Sequence, residues 1–470
     1  MKFWSMDNTL LGWRFGVLVP VLISLMFIQL SMPIGVLLFG VSIVLLFFLG
    51  LNYFSKEWVS IPYDRLEWRI FFICLIVRVV FIFYLYLLTY WFDNDSFPFE
   101  IYAADSWVYH NVATDLMDAP FGDWLRILDE KMKSRSDFGY PFYQGIIYSI
   151  FGSHTFPVRI INAILGSLTV LMLSRIVKTS WGESHAKMTA IVGMLFPTLI
   201  WYCGIQLKET LMVFIVVVCF YLTWMARSKN KMTISLILMS FIFCFLLFFF
   251  RTFLGALVSI SMLLLFVPHK TNRIGTGILI SIVLVLYLFY SLALSSNIFQ
   301  DVNNQIEDSR DFFSRNLENE KNLLGNVSFD QVALAPLIIG GAAITPFPSY
   351  LDTEARQLSI FTRFQNDLIR NMMYFFMYIG LYHTIKNKFR EFIGILFFFG
   401  AYLSVITSAA NSFQARFHMP IIPFAILFIG IGIVEFSNKS RRYWLIYLLF
   451  IFVAQLMWTY FKLNIRGISA

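Results

Sequence analysis

A carboxylate stands among aromatic and imidazole side chains where the chain reads Glu100, Asp105, Trp107, Tyr109 and His110. If a helix begins near Ala104, then Asp105, Tyr109 and Val112 share one face, while Trp107 and His110 fall on others. A carboxylate placed in this way can take a proton from a hydroxyl group. An aspartate at that position is also an ordinary helix N-cap, and the residues by themselves leave both readings open. A second set of side chains is cationic. Lys208 lies between Leu207 and Glu209, Arg251 follows Phe250, Arg416 stands two residues before His418, and Arg159 follows Gly152 and His154. Each sits where one apolar run gives way to the next, on the side that lacks the basic clusters described below. Arginine can grip a phosphate with its planar fork and lysine can meet it as a point charge, so several such residues together would suit a phosphate group. Any one of them could instead be an anchor whose stem lies in lipid and whose head reaches the headgroups. Glu209 can pair with a neighbouring cation at a helix end, and His418 reads equally as a packing residue or as a contact to substrate. Arg78, deep in an apolar run, reads as a polar anchor within its own helix.

The elements that must position these groups are dictated by composition. Of 470 residues, 59% are hydrophobic, 19% aromatic and only 14% charged, and the mean hydropathy is +0.72. Soluble domains carry about a quarter charged residues, so this is an integral membrane protein. About thirteen apolar runs of spanning length can be read, near residues 11–31, 34–53, 70–92, 155–177, 185–205, 208–226, 232–250, 252–267, 274–295, 369–385, 391–410, 417–436 and 443–461. The net charge of +8 is explained by topology and not by a nucleic-acid footprint, and no nucleic-acid partner is expected. Lysines and arginines cluster at 56–69, 175–187, 227–231, 270–273, 386–390 and 439–442, with two apolar runs between successive clusters. An up-and-down bundle with those loops in the cytoplasm requires this spacing. It places the N-terminus inside the cytoplasmic membrane, and the first run reads as a retained helix. The four cysteines, Cys74, Cys203, Cys219 and Cys244, all lie in apolar runs without CxxC spacing and read as packing residues.

Two segments on the outer side are too long for turns. Residues 93–140 hold the densest run of acids, and 141–152 are apolar but too short to cross; together with the next turn they make a first loop, 93–154, with interfacial helices. Residues 296–368 form the second, polar at first, apolar at 332–344, and ending in Thr345, Pro346, Phe347 and Pro348. Long loops are usually functional, which puts the working surface on this face of a single domain, 1–470. No nucleotide-binding or hydrolase motif is present to suggest ATP-driven transport or ester hydrolysis.

The ordered set formed by Asp105, then Gly139, Tyr140 and Pro141, Phe151 and Gly152, Arg159, Phe196 and Pro197, Leu207 to Thr210, and finally Arg416 to Pro420 with Pro423 resembles the GT-C superfamily. These are membrane glycosyltransferases that use polyprenyl-phosphate-linked sugars, among them protein O-mannosyltransferases and the aminoarabinose transferase of lipid A. The resemblance covers residues 93–230 and 405–436. It implies an all-α polytopic bundle, with Asp105 as the catalytic residue of the first external loop and a sugar passing from lipid phosphate to a lipid, glycan or protein acceptor on the external face. Under that reading Asp105 is the base, Lys208, Arg251 and Arg416 neutralise the departing phosphate, and Tyr109, Arg159, Glu209 and His418 line the substrate. Many relatives have Asp-Glu where this chain has Asp105 and Ser106, and their loop follows the first span, whereas here it follows the third. A second acid is therefore open, with Glu100 and Asp137 as candidates, as is a divalent cation, Mg²⁺ or Mn²⁺, held by the loop carboxylates. A surface-polysaccharide polymerase or ligase, in which arginines and not Asp105 would dominate, is the alternative. A flippase of lipid-linked sugars is a more distant one, because the charges crowd one face.

Overall fold

The computed structural model describes residues 4–92, 97–100, 104–132, 134–228, 234–266, 344–348, 350, 364–408, 415–436 and 441–465. Apolar runs become helices, with breaks where capping residues, proline or glycine dictate them. The first helix, α1 (Met6–Met26), starts at Ser5, whose side chain accepts a hydrogen bond from the Asn8 backbone N–H, satisfying one of the free donors of the first turn. Pro33 precedes α2 (Ile34–Glu57), and α3 (Tyr63–Phe92) follows. Three shorter helices come next: α4 (Ala104–Asp118), α5 (Trp124–Lys131) and α6 (Gly139–Phe151). Gly152 and Gly182, with φ of 78° and 90°, end α6 and α7 (Thr155–Trp181) in a conformation that side chains with a Cβ adopt only with strain. Then come α8 (Glu183–Leu195), α9 (Pro197–Gly204), α10 (Glu209–Ser228), α11 (Ile234–Leu247) and α12 (Thr252–Phe266). The last described helices are α13 (Phe364–Ser408), α14 (Ala415–His418), α15 (Ile422–Glu435) and α16 (Arg441–Ile465).

Seven of these helices are long and apolar enough to cross a membrane, or eight if α8 and α9, bent by 47° at Phe196 and Pro197, are counted as one span. The difference from about thirteen runs has physical sources. Helices α11, α12 and α15 are apolar but only 14, 15 and 14 residues long, about 21–23 Å at 1.5 Å per residue. The runs near 369–385 and 391–410 join in α13, which breaks at Lys388 (φ −136°, ψ 23°). The run 274–295, the basic cluster 270–273 and most of the segment 296–368 lie outside the described residues. Residues 141–151, too short to span, fall in α6, which packs on α4.

Helix α15 is the axis of the bundle. Every residue from Ile422 to Ile433 is buried, as expected of a helix that is apolar all round, and it packs against α13, α8 and α7. At the contact with α13 the backbones themselves touch. A Cβ on Gly432 would overlap the carbonyl oxygen of Phe376, and one on Gly380 would overlap that of Phe428. Small residues that let helix backbones approach are a main source of packing energy in lipid, where apolar burial between helices counts for little. Gly432→Leu is therefore expected to cost about 3 kcal/mol or more and to abolish a monodisperse peak in size-exclusion chromatography. Gly400→Leu, with open space around Gly400, should elute as the unsubstituted protein does.

The outer helices present apolar surface. On α16, Leu445, Ile446, Leu449, Phe450, Val453 and Met457 are all exposed, a stripe at helical spacing that suits lipid contact. One end of the bundle gathers the described basic clusters. There Arg175 grips Glu67 through two hydrogen bonds of 3.0 and 2.9 Å, Lys178 pairs with Asp64, Arg227 donates to the carbonyl oxygen of Glu391 at 2.7 Å, and His185 meets Glu435 at 2.9 Å. The opposite end holds every candidate site residue.

Candidate functional site

Helix α4 begins at Ala104, so Asp105 lies in its first turn and is not the residue that caps it. Tyr109 and Val112, on one face of the helix, are buried, whereas Asp105 at its start points out, about half exposed. Tyr109 packs edge-on against Tyr140 of α6, with ring centroids 5.3 Å apart. The α4 and α6 pair is docked on the bundle by Ser106, which donates to the carbonyl oxygen of Gln206 at 3.1 Å, and by Gly139, whose N–H donates to that of Phe249 at 2.9 Å.

The cations come together, but none faces solvent as a bare charge. Arg416, brought from near the C-terminal end of the chain on α14, donates to Asp105 Oδ2 at 2.7 Å across 311 positions of sequence. Lys208, between α9 and α10, pairs with Asp137 and donates to the carbonyl oxygen of Phe250 at 3.2 Å. Arg251, at the start of α12, lies 3.9 Å from Glu209 Oε1, donates to the Tyr402 hydroxyl at 3.2 Å, and stacks its guanidinium 4.7 Å from the ring centre of Phe417. Phe417 also lies 5.1 Å below Arg416, so one ring supports both arginines. Arg159, almost fully buried, donates to the carbonyl oxygen of Pro98 at 2.7 Å, lies 3.8 Å from Glu100 Oε2 and packs on Tyr86. Four cations and four carboxylates are thus matched in pairs. Each cation meets a neighbouring carboxylate, because a buried cation without one would be costly.

The pairs differ in what they cost to open. Asp105 and Arg416 are 52% and 41% exposed, and exposed pairs are worth about 0–1 kcal/mol. Lys208 is largely buried. Burial pushes its ammonium below the usual lysine range, assisted by the like charge of Arg251 and opposed by Asp137 and Glu209. Burial likewise pushes the Tyr109 phenol up, and the fields of Asp137, Glu209 and Asp105 add to the rise. One phenol thus feels three carboxylates.

The two proposed second acids are committed elsewhere. Glu100 accepts from the Ser106 hydroxyl and from the Gln206 N–H at 3.3 Å besides facing Arg159. This network ties residues 97–100 to α4, α7 and the turn before α10, and it makes Glu100 and Arg159 a brace. Asp137 is held by Lys208. His418 is fully buried, so of its two readings packing is the one the geometry favours. Arg78, also fully buried, donates within its own helix to the carbonyl oxygen of Cys74 at 3.1 Å and across to that of Gly193 on α8 at 3.5 Å, so it ties two helices as well as anchoring its own. The contributions of Tyr402 and Phe417 were not legible in sequence, because an aromatic residue in an apolar run reads as packing. Among the described residues no three His, Cys, Asp or Glu side chains are grouped so as to hold a metal ion. The described acids point at cations instead, and as placed they do not fit Mg²⁺ or Mn²⁺.

What the arrangement can do is bind an anion where Arg416, Arg251 and Lys208 meet while a carboxylate stands exposed at its edge. The chain matches no protein-family model, no curated protein and no solved structure.

Proposed function

We propose that the protein is an integral membrane glycosyltransferase that moves a sugar from a polyprenyl-phosphate donor to an acceptor hydroxyl. The observation that carries this reading is the pairing of Arg416 with Asp105 beside Lys208 and Arg251. A base and its phosphate-binding cations lie together, and Asp105 and Arg416 occupy each other. An incoming lipid phosphodiester, with a charge equal to that of the carboxylate, competes with Asp105 for the Arg416 fork, and its hold strengthens as a second negative charge develops on it when the bond to the sugar breaks. That exchange frees the Asp105 oxygen. The acceptor oxygen then bonds to the anomeric carbon, the bond from that carbon to the phosphate oxygen breaks, and the acceptor proton passes to Asp105. The polyprenyl phosphate leaves with its charge held by Arg416, Arg251 and Lys208. The donor would thus activate its own base, which limits idle reaction with water.

Mass spectrometry of lipids that co-purify with the protein tests the donor class. A polyprenyl phosphate, with or without its sugar, is expected in the wild type and depleted in Arg416→Ala; a lipid complement identical to the bulk membrane would count against the reading.

The same reading places the chain in the cytoplasmic membrane with its N-terminus inside and the Asp105 end outside, since the basic clusters favour the cytoplasm. A membrane-impermeant thiol reagent should label Ser134→Cys in intact cells and leave Lys178→Cys untouched until the cells are opened. The reverse pattern would put the site in the cytoplasm.

A further inference from the structure

One of the four carboxylates paired at this end of the bundle is held only loosely. Glu209 is 3% exposed, and its Oε2 finds no hydrogen-bond donor among the described residues. Its Oε1 sees Arg251 only at 3.9 Å, beyond hydrogen-bond distance. Glu209 is also the first residue of α10, where the helix dipole favours a negative charge. The other acids contrast with it. Glu100 has three partners, Asp137 is held by Lys208, and Asp105 by Arg416. A buried carboxylate oxygen at a helix N-terminus that is given no donor is a group waiting for one from outside.

Its surroundings say what kind of donor. Glu209 adjoins Lys208 in sequence, and its field reaches both Lys208 and the Tyr109 phenol, whose other carboxylate neighbours include Asp105. It therefore stands beside Lys208 and Arg251, two of the cations assigned to the lipid phosphate. A sugar carried on that phosphate is the hydrogen-bond donor that would arrive with it. Resting on the glycosyltransferase reading above, we propose that Glu209, and neither Glu100 nor Asp137, is the second working acid, and that its Oε2 accepts a hydrogen bond from a hydroxyl or amine of the sugar on the donor lipid. Glutamine would reverse this contact. Arg251 would hold the amide oxygen, leaving the NH₂ to face a sugar donor, and a charge-assisted bond would become a clash of two donors.

The test uses the full chain in lipid nanodiscs and compares the affinity of decaprenyl phosphate with that of decaprenyl phosphate bearing mannose, glucose or 4-amino-4-deoxyarabinose. The wild type is expected to bind one sugar-bearing lipid about ten-fold more tightly than the bare lipid, as a charge-assisted contact allows. Glu209→Gln should erase that preference and bind the bare lipid at least as well, since a charge repelling the phosphate is gone. Should Glu209→Gln fail to give a monodisperse protein, Glu209→Asp, which keeps the charge but withdraws it by one methylene, should show the same lost preference. A preserved preference in the folded variant, an equal loss of affinity for bare and sugar-bearing lipid, or a wild type with no preference in the panel would each overturn the role of Glu209 while leaving the donor reading in place. A wild type that binds no decaprenyl phosphate at all would overturn both.

Discussion

Asp105→Asn is expected to reduce sugar transfer at least 100-fold and to leave the protein folded. General-base catalysis contributes about 10²–10⁴-fold, and an amide of the same shape cannot take the acceptor proton. Stability should barely change, because the bond to Arg416 is between half-exposed partners and such pairs contribute about 0–1 kcal/mol. Melting temperature and elution profile of the purified variant check the second half of the statement, and turnover of co-purified or added lipid-linked donor checks the first. Asp115 is the matched control. It lies on the same helix and also pairs with a cation, Lys131, on exposed surface, but away from Arg251 and Lys208, so Asp115→Asn should retain nearly full turnover. Near-normal turnover in Asp105→Asn would remove the catalytic assignment.

The second large effect belongs to Arg416. Losing one charge-assisted contact to a phosphate costs about 1.5–3 kcal/mol, or about 10–150-fold in donor-dependent kcat/KM and in affinity for polyprenyl phosphate. Arg416→Ala should show that loss with little change in melting temperature. Lys208→Ala and Arg251→Ala are less clean. Lys208 is buried against Asp137, and breaking a buried pair leaves an uncompensated charge at about 3–5 kcal/mol, so their loss of activity will be mixed with loss of fold. Arg126→Ala, on a surface helix where Arg126 pairs with Asp123 and Glu130, should leave donor affinity as it is. Unchanged donor affinity in Arg416→Ala would end the shared phosphate site, though Asp105 could still act as base.

Much of this architecture was legible because lipid imposes severe rules. A run of apolar residues has to become a helix, since no other short element satisfies its own backbone in hydrocarbon. Helices accordingly cover most of the described parts of the apolar runs read from sequence, with breaks at Phe196, at 248–250 and at 419–421, and α1 from Met6 and α3 from Tyr63 start a few residues early. The same rules made Asp105, Lys208, Arg251 and Arg416 conspicuous, because a charge at the edge of a bilayer needs a reason. Length along the chain was less informative. A 14-residue helix such as α15 looks like a crossing in sequence when its apolar flanks are added, and only the packing around it shows that it is buried on all sides by α7, α8 and α13.

Residue type and spacing by themselves determined that this chain is a helical membrane protein, that its cations divide into topological clusters and a few exceptions, and that the exceptions share one end of the bundle. Tertiary structure alone decided which charge meets which. Arg416 and Asp105 are 311 positions apart, and nothing local in either segment specifies the partner; the hydrogen bond exists because α14 and α4 are carried to the same place by other helices. The same holds for the division of labour among the acids. Glu100, Asp137 and Glu209 are, as sequence, three carboxylates on the outer side of the bundle whose partners cannot be read from their neighbours. Only the folded chain spends two of them on braces and leaves Glu209 buried with an oxygen unused, because the cost of a buried charge is set by what surrounds it in space and not by its neighbours along the chain.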